Sequence, residues 1–323
     1  MTLTPTKSPS SRATARFWKR FGACYMCLFL ILLFFRNANA ASLWVSEGLE
    51  LCAKRLIPSL FPFMVISSLT VSSGVGRYIF KLLERPFGFL FGIRAEGVCA
   101  IALGWLCGFP VGAKCAGELY DGGKIGLSEY RRIVCISSTP SPAFLIGALG
   151  SSMLGSARSG VILYAASIFV ATVLGIALNL LTKKDQTLTS IAVSNAKRPS
   201  FAEALTRAVG ESAIDMLRVC AFVVFFSAFL GAIQQTLACF SLSETVAALI
   251  FAFFELTTGT AKLCEVTGSY APALCALAVG WSGLSVHFQT MSICGSRDFQ
   301  FKQYFLFHAV RAALCLIIGF LVF

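Results

Sequence analysis

The chain has 323 residues, 57% of them apolar and 13% charged, with a formal net charge of +12. Soluble domains carry roughly 25% charged residues, so this composition excludes a water-solvated globule and makes the bilayer the solvent. The surplus positive charge does not read as a nucleic-acid footprint, because it is distributed among the loops between apolar runs.

Residues 1–20 form a basic tail with Lys7, Arg12, Arg16, Lys19 and Arg20. Residues 21–40 carry an apolar run, 21–35, followed by Ala38-Asn39-Ala40-Ala41. This is the pattern of a membrane anchor or of a cleavable signal with an A-x-A site; the anchor is the preferred reading. Crossing about 30 Å of hydrocarbon takes about 20 apolar residues in a helix. Residues 52–74 supply the first such span. The stretch 98–119 is interrupted at Gly108-Phe109-Pro110-Val111-Gly112-Ala113-Lys114, 134–154 is broken at Ser137-Ser138-Thr139-Pro140-Ser141-Pro142, and 159–181 is unbroken.

The polar, Ser/Thr-rich stretch 182–200 reads as a cytoplasmic linker. The same order then recurs: a span over 211–237, an interrupted stretch over 246–266 around Thr257-Thr258-Gly259-Thr260-Ala261-Lys262, a break at Trp281-Ser282-Gly283-Leu284-Ser285-Val286-His287, and an unbroken 304–323. The expected fold is all-α and polytopic, with two repeats over 41–181 and 201–323, each a span, a re-entrant hairpin, a broken helix and a straight helix. Three crossings per repeat make the second inverted relative to the first. Loops 75–97, 121–132, 182–210 and 295–303 then share one side with the amino-terminal tail and hold the basic residues, whereas the opposite loops hold Arg36 and Arg158. The positive-inside rule makes the first side, and the amino terminus, cytoplasmic.

Thirteen cysteines lie mostly inside apolar runs, where thiols behave as small hydrophobes. Cys24 and Cys27 form a lone C-x-x-C, and two histidines are too few to build zinc sites around it. P-loop, H-E-x-x-H and G-x-S-x-G motifs are missing, so an enzyme has no positive support and no cofactor is expected.

Broken helices survive at membrane depth only where protein or water satisfies their backbone, so four breaks point to one shared cavity, a kinked but closed helix being the plainer alternative. The candidate substrate contacts are Gly112, Gly259, Thr139, Ser141 and Ser285 at the breaks, with Lys114, Lys262, Glu255, His287 and Gln289 beside them. Lys114 and Lys262 each follow a hairpin turn; they bind an anion, or they snorkel or are neutralised by Glu118, Glu255 or Glu265. Glu255 either couples transport to H+ or Na+ or counters Lys262. Asp215 and Arg218, at i and i+3, read as a structural ion pair. His287, Gln289, His308 and Arg311 cluster, with a packed structural role as the default and ligand contact as the alternative.

Leu56-Ile57-Pro58-Ser59-Leu60-Phe61-Pro62-Phe63, the Gly108 to Lys114 motif, Gly117-Glu118-Leu119-Tyr120, Glu255-Leu256-Thr257-Thr258-Gly259 and Gly283 to Gln289 together resemble the nucleoside-recognition "Gate" domain family, and within it the YlbJ-type sporulation membrane proteins, over roughly 44–323. The resemblance implies a fold similar to concentrative nucleoside transporters, with substrate between hairpin tips and broken helices. It also implies dipicolinate export across the outer forespore membrane during endospore formation. Ser138-Thr139-Pro140 and Cys107-Gly108-Phe109 depart from the family pattern, where an asparagine and Ser-Gly-Tyr are usual.

The expectation is therefore a multi-pass transporter in the cell membrane for a small anionic metabolite. A nucleoside or nucleobase carrier, or a membrane scaffold in spore assembly that moves no solute, are the alternatives. The expected partners are the substrate, the bilayer and a further copy of the chain in a homo-oligomer, with no nucleic acid.

Overall fold

The computed structural model describes residues 9–73, 75–182, 200–238 and 240–323. The first part of the basic tail and nearly all of the linker read over 182–200 lie outside the described residues. The chain is an all-α polytopic membrane protein. Helices at 157–181, 201–234, 268–294 and 301–322 are long and apolar enough to cross a bilayer, and two sharply bent pairs raise the number to six if each is one span.

Helix α1 (Pro9–Arg36) turns through 93° at Asn37 into α2 (Ala38–Leu51). Here the structure exceeds the sequence reading, which began the span near residue 52: α2 runs through a π-helical turn, Cys52–Leu56, into α3 (Ile57–Ser73), so the rod starts 14 residues earlier. What holds α2 is α10 (Phe201–Ala238), because Gly48 and Gly231 lack the Cβ that would strike Ser227 and Trp44. Small residues at such a crossing let two backbones approach and gain dispersion contacts, the main attraction between helices in lipid.

Short α4 (Gly76–Ile79) leads to α5 (Lys81–Phe91), which meets α6 (Ala95–Cys107) at 97° after Gly92 closes α5 in the left-handed region. Helix α6 and α7 (Val111–Asp121) pack against one another, with a Cβ on Gly112 falling 2.9 Å from the Gly104 Cα. Helix α8 (Leu127–Ser137) stops at the Ser138–Pro142 break, and the chain resumes as a π-helical segment, Ala143–Met153, before α9 (Ala157–Leu181). Two prolines there remove amide donors and prevent the helix from continuing.

After α10 the second half continues through α11 (Glu244–Phe254), α12 (Leu256–Val266), α13 (Ala271–Trp281), α14 (Leu284–Cys294) and α15 (Phe301–Val322). A Cβ on Gly259 would lie 2.1 Å from the Ala252 Cα, so α12 folds back onto α11. Gly280 and Gly319 bring α13 against α15 in the same way. Leu180, Leu181, Phe169 and Leu321 are left exposed on the outer helices, as lipid-facing residues are where the bilayer replaces water as solvent.

Candidate functional site

Each hairpin turn rests on the break of its own half. Gly108, at φ 83° and ψ −179°, occupies a region open essentially to glycine, and a Cβ there would lie 2.8 Å from the Ser141 nitrogen. The next amide, of Phe109, donates to the Thr139 carbonyl at 3.0 Å. In the second half the glycine belongs to the break: Gly283, at φ +79°, would place a Cβ 2.8 Å from the Leu256 nitrogen. Phe109 and Phe144 from the first half join Ala252 and Leu256 from the second in one apolar cluster, so hairpins and breaks converge.

Ending helices mid-membrane frees carbonyls, each costing several kcal/mol if unpaired in hydrocarbon. They are answered one by one. The Trp105 indole donates to the Ile136 carbonyl at 3.0 Å, and the Trp281 indole to the Phe253 carbonyl at 2.8 Å. The Ser282 hydroxyl donates to Val279, and the Arg311 guanidinium to Ser138 at 2.7 Å. His287 Nε2 lies 2.9 Å from the Trp281 carbonyl and His308 Nδ1 lies 3.4 Å from that of Gly280. A carbonyl only accepts, so these nitrogens carry the protons. This crossing of hairpins and breaks is closed to bulk solvent: Thr139, Ser282, His287, His308 and Arg311 are all fully buried. Five polar atoms there have no partner, namely Ser137 Oγ, Thr139 Oγ1, His287 Nδ1, His308 Nε2 and Arg311 Nε.

A second polar region lies beside it. A cavity of about 790 Å³ is lined by α3, α7, α10 and α14 and holds Lys114, Lys124, Arg207, Arg218 and Arg297 with Glu118, Asp121, Glu211 and Asp215. At its inner wall the ammonium of Lys114, only 4% exposed, sits 2.8 Å from Asp215, 3.8 Å from Glu118 and 3.3 Å from the Ser212 hydroxyl. Arg218 holds the other oxygen of Asp215 at 2.9 Å, which is the ion pair that i, i+3 spacing predicts. Arg297 grips Asp121 at 2.8 Å, Arg131 pairs with Asp298, and Lys124 donates to the Val71 carbonyl. These contacts tie together the ends of α3 and α7, the loop after α14 and residues 212–218 of α10.

The candidate residues divide between these regions. Thr139, Ser141, Glu255, Ser285, His287 and Gln289 lie at or next to the crossing, and Lys114 faces the cavity. The Glu255 carboxylate accepts from the Thr257 and Thr258 amides at 3.0 and 2.6 Å and so caps α12, where α7 starts at Pro110 without a side-chain cap. Gln289 donates to the Ser285 hydroxyl and Ser141 Oγ accepts from the Phe144 amide. Gly259 is a close-packed contact within its hairpin, against Ala252, and Gly112 is packed first against Ser137 of α8 and then against Gly104. The two lysines have different neighbours, since Lys262 stands 4.6 Å from the Phe251 ring centre, away from Asp215 and Glu118. The sequence reading missed the gathering of Lys124, Arg207, Glu211 and Arg297 into one cavity. It grouped Arg311 with His287, Gln289 and His308, with a packed structural role as the default and ligand contact as the alternative, and did not foresee its reach to Ser138 and Ser167.

Over 313 residues, covering 86% of this chain and 76% of the relative, the sequence is 26% identical to the sporulation integral membrane protein YlbJ of Bacillus subtilis (strain 168), a distant homology. No family model matches the chain. No solved structure matches it either.

Proposed function

We propose that the chain is an alternating-access transporter of a small anionic metabolite. The observation that carries this reading is the cavity of about 790 Å³, lined by a buried lysine on a hairpin whose turn rests on a broken helix. Cavities that end at discontinuous helices are how membrane folds hold a solute near mid-bilayer without exposing backbone to lipid. The basic loops around the cavity mouth make that face the cytoplasmic one by the positive-inside rule, and the amino terminus follows.

In this reading the two halves are inverted repeats. Support comes from paired features placed reciprocally. An indole closes a carbonyl in each half, from the hairpin in the first (Trp105) and from the break in the second (Trp281), and Gly108 and Gly283 are exchanged in the same sense. Lys114 meets the anion on the cavity side; Thr139, Ser141, Ser285, His287 and Gln289 line its path at the crossing. Lys262 and Glu255 act on the second hairpin, Lys262 by its charge and Glu255 by holding the start of α12.

The distant relative's name places that protein in sporulation, and by analogy this chain acts in the membrane of a sporulating cell, with dipicolinate (pyridine-2,6-dicarboxylate) as the first anion to try. A nucleoside carrier is less well served, because both Glu255 oxygens are already engaged by backbone amides and the Thr260 hydroxyl by the Leu256 carbonyl. The purified chain in proteoliposomes should move dipicolinate or a simple carboxylate and leave uridine behind. Flux of uridine without flux of any carboxylate would reverse the assignment.

A further inference from the structure

Several cations around the cavity have a partner of opposite sign. Lys114 has two carboxylates within 4 Å, and Arg218 and Arg297 have one each. Arg311 is different. Its side chain is 0% exposed on α15, yet among the described residues no carboxylate pairs with it. Its partners are neutral, the Ser138 carbonyl at 2.7 Å and the Ser167 hydroxyl at 2.5 Å with the Cys315 side chain alongside, and its Nε–H has none. The carboxyl end of α8, which stops at Ser137, offers about half an elementary charge of compensation. A guanidinium this deep is normally paired or functional.

We propose that Arg311 is the residue that binds the carboxylate of the transported anion, at a site in the crossing of the two breaks, deeper than Lys114. This rests on the transport reading above and names where the charge is recognised. The planar guanidinium matches a carboxylate through two parallel N–H donors, a geometry that an ammonium does not offer. Nε–H is free for one of them, and the parallel donor lies on Nη2, which the carboxylate takes over from the Ser167 hydroxyl. Around that position the unpartnered hydroxyls of Ser137 and Thr139 can donate to an oxygen. The unpartnered nitrogens of His308, one turn before Arg311, and of His287, with its ring centre 5.1 Å from that of His308, can accept from a ligand N–H or O–H. Access requires the α6–α7 hairpin to lift, because Gly108 and Phe109 lie on Ser141 and Thr139. The ligand class is a small mono- or dicarboxylate, held by Arg311 after being received at Lys114.

The test is equilibrium binding to the full chain in lipid nanodiscs, with pyridine-2,6-dicarboxylate as the probe and its uncharged dicarboxamide as the control, alongside proteoliposome flux. Arg311→Gln should weaken dicarboxylate binding by about 10- to 150-fold, the range for losing a charge-assisted contact, while binding of the dicarboxamide changes little. Arg311→Lys keeps the charge and loses the fork. It should insert normally and still bind the dicarboxylate about 10-fold more weakly, and it decides the matter if the glutamine variant does not insert. Wild-type dicarboxylate affinity in Arg311→Lys and in any Arg311→Gln that inserts, with flux intact in the parent, would overturn the inference and leave the transport reading standing. Equal losses for dicarboxylate and dicarboxamide would also overturn it, since they mark a role in shape alone. A parent chain that neither binds nor moves any carboxylate would fail the transport reading itself.

Discussion

The cavity around Lys114 and the crossing around Arg311 solve one problem, a polar group inside a membrane protein, in opposite ways. In the cavity, charges of both signs are crowded together and partly solvated, and Lys114 has two carboxylates within 4 Å between which it can exchange. In the crossing the polar groups are fully buried, several freed carbonyls are each met by a side-chain donor, and among the described residues one cation is left without a carboxylate partner. Replaceable pairs suit a surface over which a solute passes; fixed, singly matched contacts suit a joint that must be closed or open and not between. Substitutions should therefore be expensive and insensitive to salt at the crossing, and cheap and salt-dependent in the cavity.

The largest effect is expected where a hairpin turn touches a break. Gly283→Ala would hold a side chain at φ +79° and drive its Cβ to 2.8 Å from the Leu256 nitrogen. Backbone strain of about 1–3 kcal/mol adds to overpacking of about 1–3 kcal/mol, so the loss in stability should be near 3 kcal/mol or more. Gly108→Ala should behave alike. Gly155 supplies the control, with φ +64° but nothing within 4 Å of its Cβ position, so Gly155→Ala should carry the strain alone. Thermal unfolding in detergent would measure all three. Equal losses at Gly155 and Gly283 would mean that the turn and the break are not in contact.

Much of this joint was legible in the sequence because Gly and Pro interrupt apolar runs that otherwise favour continuous helix, and interruptions cannot face lipid. The Lys114–Glu118 neighbourhood and the Asp215–Arg218 pair were legible too, since both follow from helical spacing. The partners that close the site were not. Arg311 and Ser138 are 173 positions apart, Lys114 and Asp215 101, and no local pattern indicates which distant carbonyl or carboxylate a side chain will reach. Helix α2 escaped notice for a related reason: residues 38–51 carry Ser46, Glu47 and Glu50 among their apolar positions, and only packing of Gly48 and Trp44 against α10 makes the helix part of the core.

A smaller effect is expected at the boundary between the regions. Asp215→Asn leaves Lys114 buried with Glu118 at 3.8 Å as its remaining carboxylate. Breaking a fully buried pair costs about 3–5 kcal/mol, but Asp215 borders the cavity and water can reach it, so about 1–2 kcal/mol is expected. Adding Lys114→Gln should recover part of that loss, because it removes the cation left short of charge. A double-mutant cycle on unfolding midpoints gives the coupling. A coupling near zero would place Lys114 among the solvated charges of the cavity rather than at its buried end.

The smallest effect should come from Arg207, at the cavity's rim, whose guanidinium lies 2.7 Å from Glu211 with side chains 77% and 42% exposed. Exposed i, i+4 pairs contribute about 0.3–0.5 kcal/mol, so Arg207→Gln should leave the unfolding midpoint almost unchanged. Its influence on transport should be kinetic. A cation at the mouth attracts an incoming anion over roughly a Debye length, about 10 Å at 0.1 M salt and 3 Å at 1 M. Removing it should slow initial uptake by about twofold at low ionic strength, and the difference should vanish at 1 M. Arg311→Gln, acting at a fully buried position, should show a loss of affinity that is the same at both salt concentrations. If the two variants respond to salt alike, the crossing is hydrated during transport, and the contrast between a buried joint and a wet approach belongs only to the closed form.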